Sequence, residues 1–153
     1  MTDDVVILGA KRTPMGAFQG ELSPLQAIQL GSIAIQGALA ESTLVPSQVE
    51  EVLMGCVLPA GLGQAPARQA ALGAGLPVNI PCITLNKVCG SGMKTVMIAA
   101  SDIRLKDINV AIAGGMESMS NAPYLLDKAR SGYRMGHKQV IDSMLFVSKT
   151  IQR

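Results

Sequence analysis

No aromatic residue occurs between Phe18 and Tyr124, and this gap limits how the chain can pack. A core in that stretch must be built from Ala, Val, Leu, Ile and Met, which favours thin, closely packed elements. The 16 glycines of the 153-residue chain support the same interpretation. Because 48% of the residues are hydrophobic and 16% are charged, the composition predicts one compact domain and excludes a disordered chain.

Short apolar runs alternate with helical patterns along the chain. Apolar runs predict strands over residues 4–10, 51–58, 81–88 and 109–114, and helical spacing predicts helices over 23–41, 65–73 and 92–105. The helix over 92–105 is apolar on nearly every side, which predicts that it is wholly buried. Strands that alternate with helices predict an α/β fold, with a mixed, largely parallel sheet flanked by helices.

The composition changes near residue 121, which we interpret as a boundary. Residues 124–153 contain six basic and two acidic side chains, whereas the preceding part is close to neutral. A solvated basic surface is one explanation, and contact with a phosphate-bearing ligand is another.

Several classes of function are disfavoured. With four aromatic residues, the chain has few platforms on which nucleic-acid bases could stack, and we expect no nucleic-acid partner. No apolar run reaches the length of a membrane span, and the start of the chain does not resemble a signal peptide, so we expect no membrane association. Three widely spaced cysteines without a CxxC motif favour reduced thiols, and hence a cytoplasmic or organelle-matrix location.

The junction between the third strand and its helix carries the strongest chemical signal. Cys89 is followed by Gly90, Ser91 and Gly92 at the predicted start of the helix. Unpaired backbone N–H groups and the positive end of the helix dipole would favour the thiolate there, and the glycines would let a substrate carbonyl approach. Cys89 is therefore our candidate nucleophile, although a small core residue in a tight turn would fit the same pattern.

A cysteine nucleophile normally requires a proton acceptor. His137, the one histidine of the chain, lies in the basic segment, where a surface position is expected. The acceptor is then either a carboxylate such as Glu117 or a group outside this sequence. Cys56 and Cys82 lie within predicted strands, and we expect both to be structural.

Two motifs resemble the N-terminal signature of the thiolases: residues 88–94 (VCGSGMK) and residues 113–120 (AGGMESMS). The resemblance spans about residues 4–144, with further matches at residues 12–14, 63–70, 122–126 and 134–137. Ketoacyl synthases also have a nucleophilic cysteine on a similar helix, but the second motif favours the thiolases.

The resemblance implies a layered thiolase-like sandwich, of which this chain is the first of two halves. Residues 1–120 would form the N-terminal half-domain, and residues 121–153 the start of a loop domain, truncated and divergent after about residue 145. It also implies that Cys89 is acylated by an acyl-coenzyme A, that Lys87, Gly90 and Ser91 shape its turn, and that no cofactor is needed beyond the coenzyme A thioester substrates.

The same resemblance implies acyl transfer between coenzyme A thioesters, by Claisen condensation or thiolysis, and a homodimer or homotetramer built by pairing N-terminal sheets. The family's base and second cysteine belong to its second half, which has no counterpart in this sequence. We therefore expect the isolated chain to be inactive in the full reaction. The alternative is a non-catalytic fragment or assembly module that pairs with a complementary thiolase chain.

Overall fold

The computed structural model describes residues 4–145. Its main elements are three helices and five strands: α1 (Ala27–Ser42), β1 (Glu51–Gly55), α2 (Pro66–Gly73), β2 (Cys82–Leu85), α3 (Ser91–Leu105), β3 (Ala111–Gly115), β4 (Tyr124–Leu126) and β5 (Val140–Asp142). Short 3-10 turns occur at Pro46–Gln48, Met119–Asn121 and Ala129–Ser131. The predicted α/β fold is confirmed.

A parallel three-stranded sheet forms the centre of the fold. Its strand order is β2-β1-β3, with β1 paired in parallel with both neighbours. In this register Gly55 lies opposite Leu85 on one side and Gly115 on the other. The carboxyl ends of all three strands therefore meet at one edge of the sheet.

The two faces of β1 contact different helices. Val52 and Met54 belong to the cluster of buried side chains that also contains residues of α1 and α2. Because successive side chains of a strand point to opposite faces, Leu53 and Gly55 face the other way, and Gly55 lies directly against the start of α3. The sheet is thus covered by α1 and α2 on one face and by α3 on the other.

The first turn of α3 lies unusually close to the sheet. A Cβ atom on Gly55 would come within 2.6 Å of the Cβ of Ser91, and one on Gly115 within 3.3 Å of the Cα of Gly92. The buried Thr95 hydroxyl donates to the carbonyl of Gly114 at 2.9 Å. Small residues at these positions therefore place the start of α3 at the carboxyl edge of the sheet.

Residues 4–10 do not form the predicted strand. They pair with none of the strands that the structure describes, and Val6, Ile7 and Leu8 are 67%, 77% and 53% exposed. The segment is tied instead to α1, where the Glu41 carboxylate accepts from the Ala10 N–H at 2.7 Å and pairs with Lys11. An apolar groove of about 470 Å³ lies between this segment and β3. The prediction fails because a buried strand requires a hydrogen-bonded neighbour, and the groove separates residues 4–10 from one.

The prediction that α3 is wholly buried is also wrong for this chain. Ser91, Thr95 and Ala99 are buried against the sheet, but Met93, Val96 and Met97 are 73%, 46% and 52% exposed. The helix contacts the sheet along one narrow stripe of small residues, which leaves its larger apolar side chains on the open side. Its apolar character reports a second face that this chain alone does not cover.

Other boundaries differ by a few residues. Helix α1 begins at Ala27 rather than at residue 23, because residues 17–25 form successive tight turns and the Gln29 side chain accepts from the backbone N–H of Gln26 at 2.8 Å. Strands β1 and β2 are shorter than predicted. Beyond residue 121, β4 and β5 pair antiparallel in a small separate sheet. The predicted divergence after about residue 145 lies outside the described residues.

None of the helices between residues 4 and 145 combines the length and the apolar character that a membrane span requires.

The surroundings of Gly55 and Gly37 predict opposite effects on stability when each is replaced by alanine. Gly55→Ala should lower the free energy of unfolding by roughly 1–3 kcal/mol, because the new methyl group overlaps the first turn of α3. Gly37→Ala should raise it by about 0.5–1 kcal/mol, because Gly37 lies inside α1 and meets only the flexible Lys11 side chain. Urea unfolding of both variants tests this, and a stable Gly55→Ala protein would contradict the proposed close contact.

Candidate active site

Cys89 lies where β2 leads into α3, at the carboxyl edge of the sheet. Its side chain is exposed, Gly90 is the N-cap residue, and the helix begins at Ser91. The sulfur-bearing residue therefore immediately precedes the N-terminal end of the helix, as the sequence predicts. The dipole of α3 has its positive end there, and the first-turn N–H groups have no partners four residues earlier within the helix.

Ser91 closes the turn that carries Cys89. Its hydroxyl accepts from the Lys87 N–H at 2.8 Å and donates to the Val88 carbonyl at 2.6 Å, and its own N–H donates to the same carbonyl at 3.0 Å. The Gly90 N–H donates to the Lys87 carbonyl at 3.1 Å. Ser91 is 4% exposed, and both hydrogen bonds of its hydroxyl stay within the turn, so its role here is structural.

Val88 has an unusual backbone conformation. Its φ angle is +48°, a left-handed value that is rare for a β-branched residue. Such a conformation costs of order 1–3 kcal/mol and persists only where surrounding contacts impose it. The residue before Cys89 is thus held in a strained state by the hydrogen bonds on either side of it.

Glu117 does not serve as a free base in this arrangement. Its two carboxylate oxygens accept from the backbone N–H of Val57 at 2.7 Å and of Leu58 at 3.2 Å. The carboxylate therefore fastens the loop that follows β1. Of the two alternatives for the proton acceptor, the structure favours a group outside this sequence.

His137 lies between β4 and β5, as an exposed residue. It lines a shallow cavity of about 180 Å³ together with Lys128 and Lys138, and Cys89 is not among the lining residues. The structure thus agrees with the expected surface position.

The other two cysteines have a different environment. Cys56 is 1% exposed, and burial, together with the charge of Glu117 and a 3.7 Å hydrogen bond to it, raises the pKa of its thiol to about 12. Burial also raises the pKa of Cys82. Both cysteines therefore remain protonated at neutral pH, in agreement with the structural role predicted for them.

Sequence reasoning missed Asn86. Its side-chain oxygen accepts from the Val88 N–H at 2.9 Å, and its amide nitrogen donates to the Val57 carbonyl at 3.2 Å. An asparagine two residues before a turn amide is a known turn signal that the sequence does display. The link to Val57 joins residues 29 positions apart and has no local signature. No group of three or more metal-ligating side chains occurs within residues 4–145.

We expect iodoacetamide to alkylate Cys89 well before Cys82 and Cys56 in the folded chain. Cys89 is exposed at a helix start, whereas the other two thiols are more buried and have raised pKa values. Timed labelling at pH 7 followed by peptide mapping measures the three rates. Labelling in urea is the control, because the rates should converge once the chain unfolds. Equal rates in the folded protein would contradict this account.

The raised pKa of the Cys56 thiol predicts a loss of stability at alkaline pH. In the unfolded chain its thiol ionises near pH 9, whereas in the folded chain it holds its proton until about pH 12. The unfolded state therefore binds fewer protons in this range, and the free energy of unfolding falls as the pH rises through it. Urea unfolding between pH 8 and pH 11 should show a shallower fall for Cys56→Ala than for the unaltered chain, with Cys82→Ala as a partly buried comparison.

Comparison with known proteins supports the sequence-based identification. The family model of the thiolase N-terminal domain matches residues 5–151. Acetyl-CoA acetyltransferase 2 of Arabidopsis thaliana is 58% identical over 142 residues, which is 93% of this chain and 35% of that protein. Acetyl-CoA acetyltransferase of Pseudomonas aeruginosa is 53% identical over the same share of this chain and 36% of its own length.

Solved structures agree with the sequence comparison. The crystal structure of the Acat5 thiolase from Ascaris suum in complex with coenzyme A matches with a TM-score of 0.89 and 39% identity, and the match covers 93% of this chain and 37% of that chain. The chain thus spans about a third of the length of the curated relatives it matches. It belongs to the thiolase family, and what it contains is the family's N-terminal domain.

Proposed function

We propose that this chain supplies the nucleophile of a thiolase and that Cys89 accepts an acyl group from an acyl-coenzyme A. The observation that carries the proposal is the exposed Cys89 at the start of α3, on a strained turn with hydrogen bonds on both sides. The relatives named acetyl-CoA acetyltransferase, and the thiolase crystallised with coenzyme A, support this choice of substrate class.

The first step is transfer of the acyl group to sulfur. The Cys89 thiolate attacks the thioester carbonyl, a new carbon–sulfur bond forms, and the bond to the coenzyme A sulfur breaks. Coenzyme A leaves as a thiolate and takes up a proton. Backbone N–H groups at the start of α3 are suitable donors for the oxyanion that forms during the attack, and a Cβ on Gly90 would meet only the Lys87 carbonyl, at 3.4 Å, so the turn is open beside the sulfur.

The second step requires a base. A second acyl-coenzyme A loses a proton from carbon 2, and the carbanion attacks the acyl group on Cys89, which releases the cysteine and gives a 3-ketoacyl product; thiolysis is the reverse. Glu117 is engaged by backbone N–H groups, and His137 lies outside the Cys89 turn. We therefore assign the base to a complementary thiolase segment rather than to residues 4–145.

Two open surfaces support a protein partner for this chain. The groove between residues 4–10 and β3 is lined mainly by apolar residues, and Val96, Ala99 and Ile103 of α3 also line it. At the other edge of the sheet, β2 pairs with β1 alone among the described strands. Unpaired sheet edges readily accept another strand. We assign the groove to the complementary thiolase half and the β2 edge to a homodimer or homotetramer contact.

A non-catalytic assembly module is the second candidate. The same groove and the exposed apolar face of α3 favour it. Such apolar surfaces are suited to a protein partner even if the assembled protein catalyses no reaction. Free cysteines within the described residues suit a reducing compartment such as the cytoplasm under either proposal.

Acylation of Cys89 tests the proposed function. The chain is incubated with acetyl-CoA, alone and with the part of Arabidopsis acetyl-CoA acetyltransferase 2 that lies beyond the matched region. We expect one acetyl group on the peptide that carries Cys89 and, in the mixture only, formation of the condensation product. Mass spectrometry after acid quenching and an assay of coenzyme A release measure the two steps.

Two variants provide the controls. Cys89→Ala should abolish both acetylation and turnover, because no other thiol of the chain is exposed at a helix start. Cys82→Ala should retain both. Association of the two parts without acetylation of Cys89 would favour the assembly module and contradict the catalytic proposal.

A further inference from the structure

We propose that Asn86 and Glu117 are positioning residues for Cys89 and that they act through the backbone of Val57. The inference rests on the proposed function of Cys89. It assigns to both polar side chains a role in holding the turn that carries Cys89.

Glu117 provides the first link. It follows β3, and its carboxylate binds the N–H groups of Val57 and Leu58, which follow β1. A carboxylate that accepts two backbone N–H groups forms charge-assisted hydrogen bonds, which are stronger than those between neutral groups. This contact fixes the orientation of the peptide groups at Val57, including the direction of its carbonyl.

Asn86 provides the second link. Its Nδ2 donates to the Val57 carbonyl, and this bond orients the amide so that its Oδ1 points the other way. The two ends of an asparagine amide are not interchangeable, since one only donates and the other only accepts. The fixed Val57 carbonyl therefore determines that an acceptor faces the turn.

Val88 provides the last link. The Oδ1 of Asn86 accepts from the Val88 N–H at 2.9 Å, and Ser91 binds the Val88 carbonyl from the other side. These bonds hold both polar backbone groups of the residue whose φ angle is +48°. Without the Asn86 contact, Val88 is free to relax toward a negative φ angle, and Cys89 would move away from the start of α3.

A second Glu–Asn pair occurs at the amino ends of the strands, opposite to the end that carries Cys89. Glu50 precedes β1 and accepts from the backbone N–H of Asn109 at 2.8 Å and from its side chain at 3.1 Å. These hydrogen bonds hold the pKa of Glu50 below its ordinary value. The Glu50–Asn109 pair therefore joins two loops, as Glu117 and Asn86 do through Val57, but it lies at the other end of the strands from Cys89. Substitutions in this pair provide matched controls.

Labelling of Cys89 tests the inference on the full chain. Asn86→Ala should slow alkylation by iodoacetamide at pH 7 by roughly two- to fivefold, the scale of one helix-terminus interaction, because Cys89 would move away from the start of α3. Asn86→Ser should restore part of the rate, because its hydroxyl can accept from the N–H two residues ahead. Glu117→Gln should give a smaller decrease, since it removes the charge and one acceptor.

The controls separate positioning from general loosening. Asn109→Ala and Glu50→Gln should leave the Cys89 rate unchanged even where they lower stability, and Cys82 labelling in each variant reports opening of the sheet. An unchanged or faster Cys89 rate in folded Asn86→Ala would overturn the inference. If Cys89 of the unaltered chain is not labelled preferentially, the proposed function fails instead. Hydrogen exchange of the Val88 amide then still tests the positioning. Faster exchange in Glu117→Gln supports the link through Val57, and unchanged exchange overturns it.

Discussion

The close approach of α3 to the ends of the parallel strands is the contact on which the rest of the structure depends. Gly55, Gly92 and Gly115 let the first turn of the helix lie against the backbone of β1 and β3. A side chain at Gly55 would overlap the first turn of α3 and one at Gly115 would crowd it, so either would push the helix outward and carry Cys89 with it. The helix start can lie at the carboxyl ends of the strands because the residues there are small. The absence of aromatic residues between Phe18 and Tyr124 is the sign of this in the sequence.

Local patterns predicted the elements well where hydrogen bonds and packing come from the chain itself. Strands β1 to β3, helix α2 and the start of α3 each lie within a few residues of their predicted positions. Residues 4–10 have an equally clear strand pattern, yet they stay unpaired in the described structure because strand formation requires an adjacent strand, and local sequence does not specify where that strand comes from. The prediction that α3 is wholly buried was wrong for a related reason. An apolar pattern shows that a helix is suited to burial on both faces, but it does not show whether the same chain covers both.

The candidate site divides in the same way. The sequence placed Cys89 and its flanking glycines at the start of a helix, and the structure has them there, because a strand-to-helix junction has a local signature. It left Glu117 open as a base, and only the fold shows that both oxygens of this carboxylate bind the loop after β1. Contacts between residues as far apart as Val57 and Glu117 depend on which strands are neighbours, and strand order is not written in periodicity.

The two steps of the proposed function place different demands on the protein. Presenting a nucleophile requires a fixed turn and a helix start, and these arise within one sheet from hydrogen bonds among three neighbouring loops. Removing a proton from a second substrate requires a base, which we assign to a complementary thiolase segment. In this chain the open side of α3 and the groove beside β3 leave apolar surface uncovered. Burying that surface against a complementary thiolase segment would contribute stability, and under the proposed function the same contact would bring the base to the nucleophile.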